Sequence, residues 1–189
     1  LPNSLLIGLA GPLRDALNSH LTARTFEELH VPFQCVAANV ERAAEHWFSR
    51  GPLVDAVLAS CAVPGLLPPV QLDGQTYLDG GLVHSIPVGR AVALGATTLY
   101  ILQVGRIEQP LAAPQRPWEV GLVAFEVARR HRFAADMASL PPGVTVHLLP
   151  TGAPERAADL RSQLRYRDRS GIARRIESAY AASTAYLAR

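Results

Sequence analysis

The 189-residue chain contains no lysine; every one of its 18 basic side chains of the Lys/Arg type is arginine. A Schiff-base amine and a P-loop lysine are therefore both excluded. Cysteine is nearly absent as well. Cys35 and Cys61 are the only two, too few for a disulfide framework and without metal-ligand spacing, so both are read as buried thiols of a reducing, cytoplasmic compartment. The six histidines show no HExxH or paired spacing, which argues against a metal site. No apolar run reaches the roughly 18 residues of a membrane span, and no signal-peptide pattern is visible. No strand leads into a glycine-rich loop that opens a helix, so nucleotide binding is disfavoured. The single methionine is Met137 and the chain begins Leu1-Pro2-Asn3, which leads us to expect a piece of a longer gene product.

What is present is the make-up of one compact domain spanning residues 1–189: 49% hydrophobic, 18% charged and 6% aromatic residues. A chain of this length hides roughly 70% of its unfolded surface, enough for a core without staples. The net charge of +2 conceals an asymmetry. Residues 1–128 carry 7 Arg against 11 acids, whereas residues 129–189 carry 11 Arg against 5 acids. A basic third of this kind suits peripheral contact with an anionic phospholipid surface. Nucleic acid is the other anionic partner such a region could meet, though none is assigned; because Asp159, Asp168 and Glu177 interrupt the arginines, a solvated helical face is the plain alternative.

Along the chain, Pro12 suits a helix start, and Leu13, Leu17 and Leu21 then fall on one face. Val31 to Ala38 fits a buried strand. Gly51-Pro52 opens a helix over Leu53–Ser60. A stiff Pro-rich connection, Ala62 to Val70, leads to two short strands around Asp73-Gly74, a strong hairpin signal. Beyond it the pattern predicts a helix from Pro87 to about Leu94, a strand Thr98 to Val104, a helix from about Trp118 to Ala138 and a strand Val144 to Leu149. A last helix, capped by Asp168 or Ser170, presents Ile172, Ile176, Tyr180 and Ser183 to the core. The alternation predicts an α/β fold with a mainly parallel sheet and helices on both faces.

One carboxylate stands in a special place. Asp79 closes the strand ending Tyr77-Leu78, and Gly80-Gly81 after it let the backbone turn sharply. An acid there sits at the carboxyl end of a strand, where open α/β folds build their ligand crevice. Taken alone, Asp79 before two glycines is an ordinary turn residue.

The wider context changes that reading. Thr25-Phe26-Glu27-Glu28-Leu29 leads into Val31-Pro32. Gly51-Pro52-Leu53 runs through Ala59-Ser60 into Pro64-Gly65 and Pro68-Pro69-Val70. Tyr77-Leu78-Asp79-Gly80-Gly81 is followed by Ile86-Pro87-Val88 and Gly95-Ala96. In this order and spacing, over about residues 25–104, the chain resembles the patatin-like phospholipases, serine acyl hydrolases with a Ser/Asp dyad. The resemblance implies that Asp79, in the motif Asp79-Gly80-Gly81, is the general base for a serine nucleophile, acting on a lipid or phospholipid ester with no metal or organic cofactor. It implies a patatin-like fold of which the N-terminal part lies outside this chain.

The chain departs from the family in two ways. The nucleophile elbow Gly-x-Ser-x-Gly and the glycine-rich oxyanion loop are absent from these 189 residues, so the isolated chain is expected to be inactive. Ser85 stands where the family commonly has Asn. The rival reading is a non-catalytic lipid-binding or regulatory protein of the same fold without the serine. A triad through His84, the histidine nearest Asp79 in sequence, is the minor alternative, and Ser60-Cys61 is read as a helix end.

Overall fold

A computed structural model describes residues 4–64, 67–103, 110–152 and 171–189. Its contacts divide into two units, residues 1–86 with 131–133, and residues 87–130 with 134–189. The first unit opens with helix α1 (Ser4–His20), which contains Pro12 rather than starting at it. The helix continues across the proline at the loss of one backbone hydrogen bond. Leu13, Leu17 and, just past the helix end, Leu21 are half-buried between exposed neighbours, as their spacing predicts.

A 3-10 turn over Phe26–Glu28 follows, then strands β1 (Cys35–Asn39) and β2 (Ala44–Phe48) and helix α2 (Leu53–Ser60). The Thr25 and Gly51-Pro52 motifs meet in space. Thr25 bridges Pro52, Phe26 N–H donates to Gly51 O at 3.1 Å, and Leu53 N–H donates to Arg24 O at 2.9 Å. The Gly51 N–H also donates to the Glu27 carboxylate at 3.0 and 3.2 Å. Backbone N–H bonds, that of Glu27 itself first and that of Gly51 second, hold the Glu27 carboxyl below its usual range. Gly51 has φ +77, a conformation natural to glycine.

Strands β3 (Val70–Leu72) and β4 (Gln75–Asp79) form the predicted hairpin. Asp73 and Gly74 both have positive φ, 50 and 73, as the tightest hairpin turns require. The sheet order is β2-β1-β4-β3 and every pairing in it is antiparallel. The expected mainly parallel sheet is thus corrected. The chain reverses at the short turns of the β1–β2 and β3–β4 pairs, and β4, sent back at Asp73-Gly74, runs antiparallel to β1. Helix α2 covers one face, burying Ala37, Ala59 and Tyr77 with Phe48, Val70 and Leu72 around them. Phe26, Leu53 and Ala56 form a second buried cluster with Leu21, Leu29 and Cys35. The Arg14–Asp55 ion pair, at 2.7 Å, ties α1 to α2 on the surface.

The second unit contains helix α3 (Val88–Ala93), strand β5 (Thr98–Ile101), helix α4 (Pro117–Ala138), strand β6 (Thr145–Leu148) and helix α5 (Ile172–Leu187). Here β5 and β6 pair in parallel, with α4 in the connection between them. Tyr100 stacks on His147 with ring centroids 4.8 Å apart. The Ser183 hydroxyl donates to Pro150 O, and Gly152, at φ +90, leaves no room for a Cβ beside Ser178.

The expected core face of α5 is corrected. Ile172, Ile176 and Tyr180 are exposed, Tyr180 by 74%, and the half-buried positions are Ser178, Ala179, Ala182, Ser183 and Tyr186. Small side chains let that neighbouring face approach closely, as Gly152 against Ser178 shows. Asp168 and Ser170, the expected caps, lie outside the described residues; Gly171 occupies the cap position.

Candidate active site

Asp79 is the last residue of β4, opposite Ala37 of β1. Its backbone is fixed by its N–H, which donates to Ala62 O at 2.9 Å. Its carboxylate accepts the Gly81 N–H through Oδ1 at 2.6 Å, capping the 3-10 turn Gly80–Leu82. A backbone N–H aimed at a carboxylate orients it.

The two residues after Asp79 do different things. A Cβ built on Gly80 would lie 2.1 Å from Val36 O and 2.7 Å from Val36 Cγ1. Only a residue without a side chain lets the turn lie this close to β1. Gly81 supplies the N–H that holds Asp79. Val83 and His84 then close the turn, each donating its backbone N–H to Gly80 O, at 3.0 and 2.7 Å.

The two cysteines adjoin this corner. Cys61 follows α2 and is exposed, which corrects the expectation of two buried thiols. It stands immediately before Ala62, the residue bonded to Asp79. Desolvation first, and the negative charge of Asp79 second, raise the Cys61 thiol above its usual range. Cys35, half-buried at the start of β1, is pushed up to about 12 by burial and, secondarily, by Cys61. Neither is a poised nucleophile.

His84 is engaged elsewhere. Its Nε2 pairs with the Glu45 carboxylate, and its ring lies 5.7 Å from that of Trp47. Glu45 and Trp47 are opposite Ala38 and Val36, whereas Asp79 is opposite Ala37. Side chains alternate along a strand. His84 is therefore held on the sheet face opposite Asp79, which is no geometry for a Ser-His-Asp triad. On the Asp79 face, His46 packs edge-on to Phe48 at 4.5 Å and lies 5.2 Å from Tyr77. Burial first and the charge of Arg42 second lower its proton affinity. Glu45 and Trp47 escaped sequence reasoning because the strand that carries them did.

Among the described residues, no group of three or more His, Cys, Asp or Glu side chains is placed to hold a metal ion. Likewise, no described helix is long and apolar enough to cross a membrane. Gly65 and Leu66 of the Pro-rich connection lie outside the described residues.

The strand end, the carboxylate and the double glycine lie within a segment that resembles known proteins. The family model described as patatin-like phospholipase matches residues 1–92. Over that segment the chain is patatin-like. An uncharacterized NTE family protein of Mycobacterium tuberculosis is 31% identical over 123 residues, which cover 62% of this chain and 33% of that protein. Lysophospholipase nte1 of Emericella nidulans is 33% identical over 82 residues, 43% of this chain and 5% of its own length. A lysophospholipase of Coccidioides immitis is 33% identical over 91 residues, 48% of this chain and 6% of its own. The matched part of the chain thus spans about a third of the mycobacterial relative and a far smaller share of the fungal ones.

Proposed function

We propose that this patatin-like chain is the base-bearing part of a lipid acyl hydrolase with a Ser/Asp dyad, in which Asp79 serves a serine that these 189 residues do not supply. The observation that carries the proposal is the placement of Asp79. It is a carboxylate at a strand end, held by the Gly81 N–H on a turn that Gly80 packs against β1.

In this reading the serine hydroxyl attacks the ester carbonyl carbon and its proton passes to Asp79. The tetrahedral intermediate collapses, the carbon–oxygen bond to the alcohol breaks, and the alcohol leaves with that proton. Water then attacks the acyl-enzyme as Asp79 takes one of its protons; the carbon–oxygen bond to serine breaks, Asp79 returns that proton to the serine oxygen, and the fatty acid is released. A carboxyl group with an ordinary value near 3.9 is a weak base at neutral pH, so the rate must come largely from positioning and from oxyanion donors.

The substrate is a lipid or phospholipid ester met at an anionic surface. Support for surface contact comes from the Arg-rich C-terminal third and from α5, which exposes Ile172, Ile176, Tyr180 and Leu187. An exposed apolar stripe with arginines on the same helix suits the interface of an anionic bilayer. Co-sedimentation with phosphatidylserine vesicles at low salt, weakened at high salt, checks this; no binding at low salt removes it.

The deciding experiment is fluorophosphonate labelling of the full-length gene product with intact-mass analysis, beside turnover of a lysophospholipid by the wild type and Asp79→Asn. A serine adduct, and turnover lost by about 1,000-fold or more in the variant, are the expected results. Absence of any adduct or turnover favours the non-catalytic lipid-binding reading. Turnover that survives Asp79→Asn overturns Asp79 as base.

A further inference from the structure

The sheet face behind Asp79 carries a second arrangement that the dyad chemistry does not use. Strand β2 presents Glu45 and Trp47 on that face, beside Ala38 and Val36 of β1. His84 reaches over from the end of the glycine turn, bonding Glu45 through Nε2 and lying against Trp47. Its side chain is only 16% exposed, whereas Glu45 is 45% exposed. The chain therefore crosses the end of the sheet between Asp79 on one face and His84 on the other, and both ends of the crossing are anchored.

We propose that Glu45 and His84 form a positioning clamp that sets the Gly80-Gly81 turn and, through it, the orientation of the Asp79 carboxylate; this rests on the reading of Asp79 as base. The links are all local. Glu45 fixes the His84 imidazole, the His84 N–H bonds Gly80 O at 2.7 Å, and Gly80 is seated on Val36 without space for a Cβ. The next N–H in the chain, that of Gly81, holds Asp79 Oδ1 at 2.6 Å. Gly80 and Gly81 have no side chains of their own to anchor the turn, and glycine is the residue with most conformational freedom to lose. An anchor from outside the turn is what restrains them. Neither Glu45 nor His84 touches the reacting atoms; both act through the turn.

Hydrogen exchange and turnover, measured together on the full-length gene product, test the clamp. In Glu45→Ala and His84→Ala, residues 79–84 should exchange about tenfold faster, as the loss of one charge-assisted hydrogen bond predicts, while the rest of the sheet keeps its protection. Glu45→Gln, which keeps a hydrogen-bond acceptor, should restore most of that protection. Turnover in the alanine variants should fall through kcat, by about 3- to 10-fold, with KM little changed. Unchanged exchange over residues 79–84 in both alanine variants overturns the clamp, as does a loss of protection spread evenly over the sheet. Asp79→Asn separates the two readings. If it retains turnover, the base assignment fails, while the exchange data still decide whether the clamp exists.

Discussion

Gly80→Ala is the sharpest perturbation available at this site, because the obstacle to the added methyl is backbone. The new Cβ would begin 2.1 Å from Val36 O and 2.8 Å from the Val36 carbonyl carbon. Ordinary contact needs more than 3.4 Å, so the turn and β1 must separate by roughly 1 Å, a shift that a side-chain rotation cannot supply. Overpacking of a tight site costs about 1–3 kcal/mol, and a rigid obstacle places this case near the top of that range. Alanine also narrows the unfolded ensemble, which returns about 0.4–1 kcal/mol. A net loss of about 2 kcal/mol remains. For a domain of 150–250 residues this lowers Tm by about 4–8 °C.

The functional loss should exceed what stability alone explains. Gly81 N–H holds Asp79 Oδ1 at 2.6 Å, and a misplacement of about 1 Å at a reacting group can cost roughly 100-fold in rate. Thermal melts by circular dichroism and ester turnover well below the melt, on the full-length gene product, give the two quantities separately. Gly121→Ala is the contrast. Its Cβ would meet nothing within 4 Å inside α4, so it should stabilise by about 0.5–1 kcal/mol. A Gly80→Ala protein that melts within 1 °C of the wild type with unchanged turnover would refute the packing argument.

Three further outcomes are expected. Burial and, secondarily, the charge of Arg42 lower the proton affinity of His46 from its ordinary value of 6.5; its contribution is complete above that value and declines as pH falls below it, because the unfolded chain then takes up the proton more readily than the folded one. Urea melts between pH 7.5 and 5 should show that slope, and His46→Leu should flatten it; an equal slope in both proteins refutes the assignment. With Cys35 pushed up to about 12 from an ordinary thiol value of 9.0, its thiolate fraction at pH 8 is about 1,000-fold below that of a free thiol. A chromogenic disulfide should therefore titrate exposed Cys61 first and Cys35 only on unfolding, and Asp79→Asn should speed the Cys61 reaction by removing a neighbouring negative charge. Finally, a homogeneous preparation of residues 1–189 should not turn over ester; turnover abolished by Asp79→Ala would contradict a nucleophile outside these residues.

How far the sequence could be followed depended on whether the deciding signal was local. Helix α2 and the β3–β4 hairpin were legible because Pro52, Asp73 and Gly74 write their backbone geometry into single residues, and Asp73 and Gly74 do take positive φ. Strand β2 was not. The turn before it places Ala43 at φ 48, a conformation for which alanine gives no cue, and Glu45 alternates with His46 in a segment too polar to suggest a strand. Sheet direction was misjudged for a related reason. A β, α, β succession implies parallel strands only when the helix provides the crossover; between β1 and β4 the hairpins intervene, and only β5 and β6, with α4 between them, pair in parallel.

The same distinction divides the site. Asp79-Gly80-Gly81 is contiguous, so its motif was visible, although the need for glycine at position 80 comes from Val36 of β1. What holds that motif in place is not contiguous. Val36, Glu45 and Ala62 come from β1, β2 and the segment after α2, brought together by register rather than by sequence. A carboxylate is easy to find from its neighbours in the chain, but its orientation is set by neighbours in space. That is why Glu45 and His84, on the far face of the sheet, are where a loss of kcat without a loss of binding should first be sought.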